Sequence, residues 1–99
     1  REVTFQRDID NWQAIARTIA ELTREVAKDM KQSGYKGRTV TVKIRFSDFE
    51  THTRTKTLEK SSNSVDEIRT AAFDCLRRFE LKKKVRLIGV RVGGLEKHE

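Results

Sequence analysis

The sequence predicts an α+β domain of order βαββαβ, a four-stranded sheet with two helices packed on one face. Two kinds of apolar spacing predict it. Three stretches alternate apolar and polar residues, the period of a half-buried strand, and a fourth is rich in β-branched threonine; two others place apolar residues three and four apart, the period of an amphipathic helix. Their order along the chain is strand, helix, strand, strand, helix, strand. Both helical stripes find cover only if the helices share one face of the sheet. At 99 residues the chain suffices for one core, so residues 1–99 read as a single domain.

The first strand is Glu2 to Arg7, with Val3 and Phe5 on one side and Glu2, Thr4 and Gln6 on the other. Asp10 or Asn11 supplies the cap of the first helix. Trp12, Ile15, Ala16, Ile19, Leu22, Val26 and Met30 form its apolar stripe, and Gly34 closes it. On this pattern Trp12 is a core residue. Gly37 to Phe46 alternates cleanly: Val40, Val42, Ile44 and Phe46 face one way, Thr39, Thr41, Lys43 and Arg45 the other. Ser47 to Phe49 make a turn, and threonine-rich Thr51 to Leu58 is the hairpin partner.

Lys60 to Asn63 read as a loop. Ser64 caps the second helix, and Glu67 three residues on fits a capping box. Val65, Ile68, Ala72, Cys75, Leu76 and Phe79 are its apolar face. The last strand is Val85 to Val92, ended by Gly93 and Gly94. Cys75, the one cysteine, has no disulfide partner within the chain and sits on the helical stripe, which predicts a buried thiol and a reducing, cytoplasmic setting. No apolar run approaches the roughly 20 residues that span a bilayer, so no membrane partner is expected. The chain starts at Arg1 directly on a strand pattern, which reads as a domain excised from a larger protein.

The net charge is +7, and its distribution points to a ligand. Residues 1–35 hold six basic side chains against six acidic ones. Residues 36–60 hold seven against three, and residues 81–97 hold six against Glu96 alone. The strands are basic and the helices near neutral. The outward strand positions carry threonine, lysine and arginine but no aromatic residue on which a base could stack. That composition suits phosphate contact with a duplex. An RNA-binding module or a protein-interaction domain on the same βαββαβ plan are the alternatives.

Three segments carry a resemblance. Gly34-Tyr35-Lys36-Gly37-Arg38-Thr39-Val40, Thr53-Arg54-Thr55-Lys56-Thr57-Leu58 and Val85-Arg86-Leu87-Ile88-Gly89-Val90-Arg91-Val92 resemble the C-terminal little-finger domain of Y-family translesion DNA polymerases, of the DNA polymerase IV type. Arg1 to Phe5 resembles that domain's first strand. The resemblance implies a non-catalytic domain, tethered to the catalytic core of the same polymerase, that grips double-stranded primer-template DNA by its phosphates. It implies Thr4 as a first-strand contact, Arg54, Thr55, Lys56 and Thr57 as a third-strand phosphate grip, and Arg86 and Arg91 as last-strand contacts. Leu87 stands where some relatives carry a basic residue. The metal-binding acids of the family, which would hold the polymerase's magnesium, lie in another domain, so no cofactor is expected in this one. A sliding clamp is a further partner of the family, although the clamp-binding peptide that often ends these enzymes is not among the 99 residues.

Strand alternation adds Thr41, Lys43 and Arg45 to the candidate DNA-binding residues and complicates others. Arg91 points outward with Gly89. Arg86 has the inward phase, which places it at a rim or beyond a bulge at Gly89. Leu58 shares the phase of Arg54 and Lys56; if Leu58 is core, the threonines between them face the ligand, and alternation alone does not decide. Lys82, Lys83 and Lys84 read as a solvated loop. His52 and His98 have no partners at metal-ligand spacing, and no nucleophile-base pair is visible.

Overall fold

In a computed structural model that describes residues 1–97, the chain forms β1 (Glu2–Ile9), α1 (Trp12–Ser33), β2 (Tyr35–Phe46), β3 (Thr51–Ser62), α2 (Val65–Leu76), β4 (Val85–Gly93) and β5 (Glu96–Lys97). The βαββαβ order and the α+β class are as the sequence predicts. The fully antiparallel sheet runs β1-β4-β2-β3. The short β5, which alternation does not reveal, pairs Lys97 and Glu96 with Tyr35 and Lys36 at the start of β2. His98 lies outside the described residues.

Helix α1 starts at Asn11, not Asp10. The Asn11 carboxamide oxygen accepts hydrogen bonds from the backbone N–H of Gln13 and Ala14, at 2.8 and 3.2 Å. Gly34 ends the helix at φ 76°, the left-handed conformation that glycine adopts without a Cβ penalty. Helix α2 has half of the expected capping box. The Ser64 hydroxyl accepts from Glu67 N–H, but Ser64 N–H donates to the Ser62 hydroxyl rather than to Glu67. This bond ties the end of β3 to the start of α2. The expected loop at Lys60 to Ser62 is instead the last part of β3. Phe79, expected on the helix, is buried in the turn beyond it.

One core joins both layers. Ile15, Ile19, Leu22, Val26 and Met30 of α1 and Ile68, Ala72, Cys75 and Leu76 of α2 meet Val40, Val42, Ile44, Val85, Ile88 and Val90 of the sheet. Cys75 is fully buried, its thiol 3.7 Å from the Val40 carbonyl oxygen. Thr23 is fully buried yet satisfied, because its hydroxyl donates to the Ala20 carbonyl at 2.8 Å.

Trp12 corrects the sequence reading: it is 51% exposed. It stands on the first turn of α1 and lines a shallow pocket with Leu81 and Lys84. Ile19, at 0% exposure, marks the centre of the covered stripe. Ile19→Ala is expected to cost about 2–5 kcal/mol in urea unfolding, and Trp12→Ala much less.

Candidate nucleic-acid interface

The helices seal one face of the sheet and leave the other open. Register fixes what the open face carries. Reading across the strands in the order β1, β4, β2, β3, one row is Thr4, Leu87, Arg45 and Thr51, and the next is Glu2, Gly89, Lys43 and Thr53. Two shorter rows follow over β4, β2 and β3: Arg91, Thr41, Thr55, and then Gly93, Thr39, Thr57. No aromatic side chain stands in these rows.

The threonines lock into their neighbours. Thr41 and Thr55 share a hydroxyl–hydroxyl hydrogen bond of 3.1 Å, and Arg45 Nε donates to Thr51 Oγ1 at 3.0 Å. Such cross-strand pairs are the sheet's unit of side-chain stabilisation. Leu87 is only 6% exposed although it has the phase of the open face; Thr4 and Arg45 flank it on either side. Gly89 leaves a gap in its row, so Glu2 and Lys43, two strands apart, meet across it. Lys43 Nζ donates to Glu2 Oε1 at 2.7 Å. This bond, with the nearby charges of Lys43 and Arg45, holds the Glu2 carboxyl below its ordinary value. Around the gap is a hollow of about 160 Å³, lined by Glu2, Thr41, Lys43, Thr53, Gly89 and Arg91 among others.

The open face gathers Thr4, Thr41, Lys43, Arg45, Thr55, Thr57 and Arg91. It does not gather Arg54, Lys56 and Arg86. Arg54 pairs with Val42 and Lys56 with Val40, which gives both the phase of the helix-covered face. The Arg54 guanidinium lies 5.2 Å from the centre of the Phe79 ring and donates to the Thr53 carbonyl. Lys56 lines a groove of about 730 Å³ between the second half of β3 and the start of α2. The alternative that alternation left open is therefore resolved for direction: Thr51, Thr53, Thr55 and Thr57 stand on the open face. Both cations remain beside it, because β3 is an edge strand with a neighbour on one side only.

Arg86 sits at a β-bulge. Arg45 pairs with Leu87 and Phe46 with Val85, so Arg86 is the extra residue; the irregularity lies here rather than at Gly89. Its guanidinium is pinned. It lies 4.4 Å from the centre of the Phe49 ring, and Nη2 donates to Asp8 Oδ2 at 3.4 Å. Nε is 3.3 Å from Asp8 Oδ1 as an ion pair, without a hydrogen-bond partner. Phe49, at φ 69° in the β2–β3 turn, is exposed and lies against this guanidinium rather than in the core. The lysine run is partly engaged as well: Lys83 bridges Asp48 and Glu50 of the same turn.

Glu2 is the site residue that sequence reasoning missed. Its phase was legible, since it alternates with Val3, but its neighbour Lys43 is 41 residues away in a strand two places across. Among the described residues no cluster of histidine, cysteine, aspartate and glutamate is able to hold a metal ion. His52 stands 3.6 Å from Glu50 at the turn.

The comparisons with known proteins decide what this face belongs to. The impB/mucB/samB family C-terminal domain matches residues 1–99. The chain belongs to that family, the little-finger domains of Y-family DNA polymerases. It is 43% identical over 96 residues to DNA polymerase IV of Methanoculleus marisnigri, covering 97% of this chain and 27% of that one. It is 37% identical over 98 residues to DNA polymerase IV of Streptococcus mutans, covering 96% and 26%. The chain thus spans about a quarter of the length of these relatives. In fold, this little finger is similar to a post-insertion binary complex of Dbh DNA polymerase, with TM-score 0.80 and 19% identity over 100% of this chain and 28% of that one. It is also similar to a complex of beta-clamp processivity factor and little finger domain of PolIV, with TM-score 0.74 and 22% identity over 100% and 89%.

Two expectations follow for the contacts around the turn. Arg86→Ala removes an ion pair and a cation–π contact, and is expected to lower the unfolding free energy by about 1 kcal/mol in urea titrations. Lys83 holds the Asp48 carboxyl below its ordinary value, mainly through their hydrogen bond. The folded-state value is the lower one, so this pair stabilises above the usual carboxylate range and its contribution disappears as pH falls through the lowered value. Asp48→Asn is therefore expected to flatten the acid limb of stability against pH.

Proposed function

We propose that this domain holds the backbone of double-stranded primer-template DNA against the open face of its sheet, as the non-catalytic little finger of a lesion-bypass DNA polymerase. The observation that carries the reading is the composition of that face. Its rows present threonine hydroxyls, Lys43, Arg45 and Arg91, while the opposite face is sealed by near-neutral helices. Hydroxyls, guanidinium and ammonium groups are phosphate partners, and none of them discriminates between bases when directed at the backbone. The absence of aromatics from the rows favours duplex over single strands, which are held by stacking.

The parts divide as follows. Thr4, Thr41, Thr55 and Thr57 supply short, stiff hydroxyls that fix the backbone's position. Lys43, Arg45 and Arg91 neutralise phosphates. Arg54 and Lys56, on the covered phase of an edge strand, reach the ligand only around that edge. Arg86 supports the bulge and turn that frame the first row, and touches phosphate only if it leaves Asp8. The polymerase's catalytic core, with its magnesium, lies in the part of the parent enzyme that this chain does not span. The family likeness supports that core and a sliding clamp as further partners; the one cysteine, Cys75, buried and unpaired, suits a cytoplasmic location.

Binding of a labelled duplex across a salt series tests the reading. Three face-on cations alone give a log–log slope of about −3; four to six phosphates neutralised, with Arg54 and Lys56 reaching around, give about −4 to −5. Arg91→Ala is expected to weaken all duplex sequences alike and to reduce the slope by about 1. Single-stranded RNA is expected to compete poorly. A flat salt response, or strong preference for one sequence, overturns the proposal.

A further inference from the structure

Glu2 is out of place on a face built for phosphate. It is an acid in the central row of the basic sheet, and its carboxylate lies against the one lysine of that row. The absence of a side chain at Gly89 lets it do so. Gly89 lies on β4, between β1 and β2, and leaves no side chain between Glu2 and Lys43 on the open face; a Cβ at Gly89 would stand 3.0 Å from Glu2 Cγ. The hollow that results is lined by Thr41, Thr53, Lys43 and Arg91 together with Arg1 and Val90; its floor is largely carbon, and the hydroxyls and cations stand around it. Arg91 makes no ion pair with any described residue, so the hollow keeps an unmatched positive charge even with Glu2 in place.

We propose, resting on the duplex-binding reading above, that the hollow over Gly89 is the seat of one backbone phosphate, and that the Glu2 carboxylate occupies that seat in the free domain. A phosphate entering between Arg91, Thr41 and Lys43 takes Lys43 from Glu2, whose side chain is half exposed and free to turn into solvent. Every duplex contact at this row is thus offset by a lost internal ion pair. Glu2 sets the strength of the grip without touching DNA: it keeps the sheet from clinging, which suits a domain that must track along its ligand.

Anisotropy of a fluorescein-labelled duplex with the 99-residue chain tests this, since the single buried core makes the chain a folding unit of its own. Glu2→Gln is expected to bind about two- to fivefold tighter at low salt, the worth of one exposed ion pair. Lys43→Met is expected to cost more in the Glu2→Gln background than in the unaltered chain, by about the same factor. Glu59→Gln, an exposed acid on β3 away from the hollow, controls for the simple loss of negative charge. If Glu2→Gln binds no tighter than Glu59→Gln, or Lys43→Met costs the same in both backgrounds, Glu2 does not occupy a phosphate seat. Failure of the unaltered chain to bind duplex at all overturns the functional reading itself, a result separate from either of these.

Discussion

The open face exists because β2 is held between two antiparallel neighbours while its alternate side chains are sealed under helices. Val40, Val42, Ile44 and Phe46 are each at most 5% exposed, so a one-residue slip of β2 would drive Thr41, Lys43 and Arg45 into the core. The cost of burying those groups fixes the register, and the register of β2 sets the rows on both sides. Thr55 stands opposite Thr41 and Gly89 opposite Lys43 for this reason alone. The composition of the open face is therefore a by-product of core burial: hydrophobic cover on one side decides which polar groups share a row on the other.

Both helices and four of the strands were legible from period, composition and caps, because these are local; the two-residue β5 and the end of β3 were not. Val40 to Phe46 names its own two faces, and Asn11, Gly34 and Ser64 mark helix ends by side-chain and backbone chemistry that needs no distant partner. What escaped depends on pairing between distant segments. The order β1-β4-β2-β3 places the first strand beside the last, so the meeting of Glu2, Gly89 and Lys43 involves three segments that no periodic signal links. The bulge at Arg86 escaped because it is a mismatch between two strands rather than a property of one. Trp12 escaped for a related reason: periodicity names the apolar side of a helix but does not report where the cover over that side ends, and Trp12 is 51% exposed.

Counting cations overstates the charge that this face offers. Lys43 is matched by Glu2, Arg86 by Asp8, and Lys83 by Asp48 and Glu50. Each of these pairs links segments remote in sequence, so the same side chains that raise the net charge also hold the rim of the sheet together. Arg91 and Arg45 keep their charge on the open face without an acidic partner among the described residues, Arg91 beside the hollow and Arg45 within the first row. The basic residues thus have two uses: Lys43, Lys83 and Arg86 brace the fold through ion pairs, and Arg45 and Arg91 keep free charge on the open face.

The edge strand explains why threonine and not lysine dominates the outer rows. β3 exposes one side of its backbone, and a flat edge of this kind invites pairing with another chain. Charged side chains along it discourage that, and Arg54, Lys56, Glu59 and Lys60 supply them. Arg78 adds a guanidinium from beyond α2, donating to the Thr55 carbonyl. Threonine between these charges keeps strand propensity through its β-branched Cβ while adding no apolar surface to the open face. Protecting the edge and the proposed phosphate grip therefore call for the same alternation over Thr51 to Thr57, with hydroxyls on the open phase and charge on the other. Arg54 and Lys56 have sufficient reason to be where they are before any ligand arrives, so their part in binding depends on reach around the strand and not on direction.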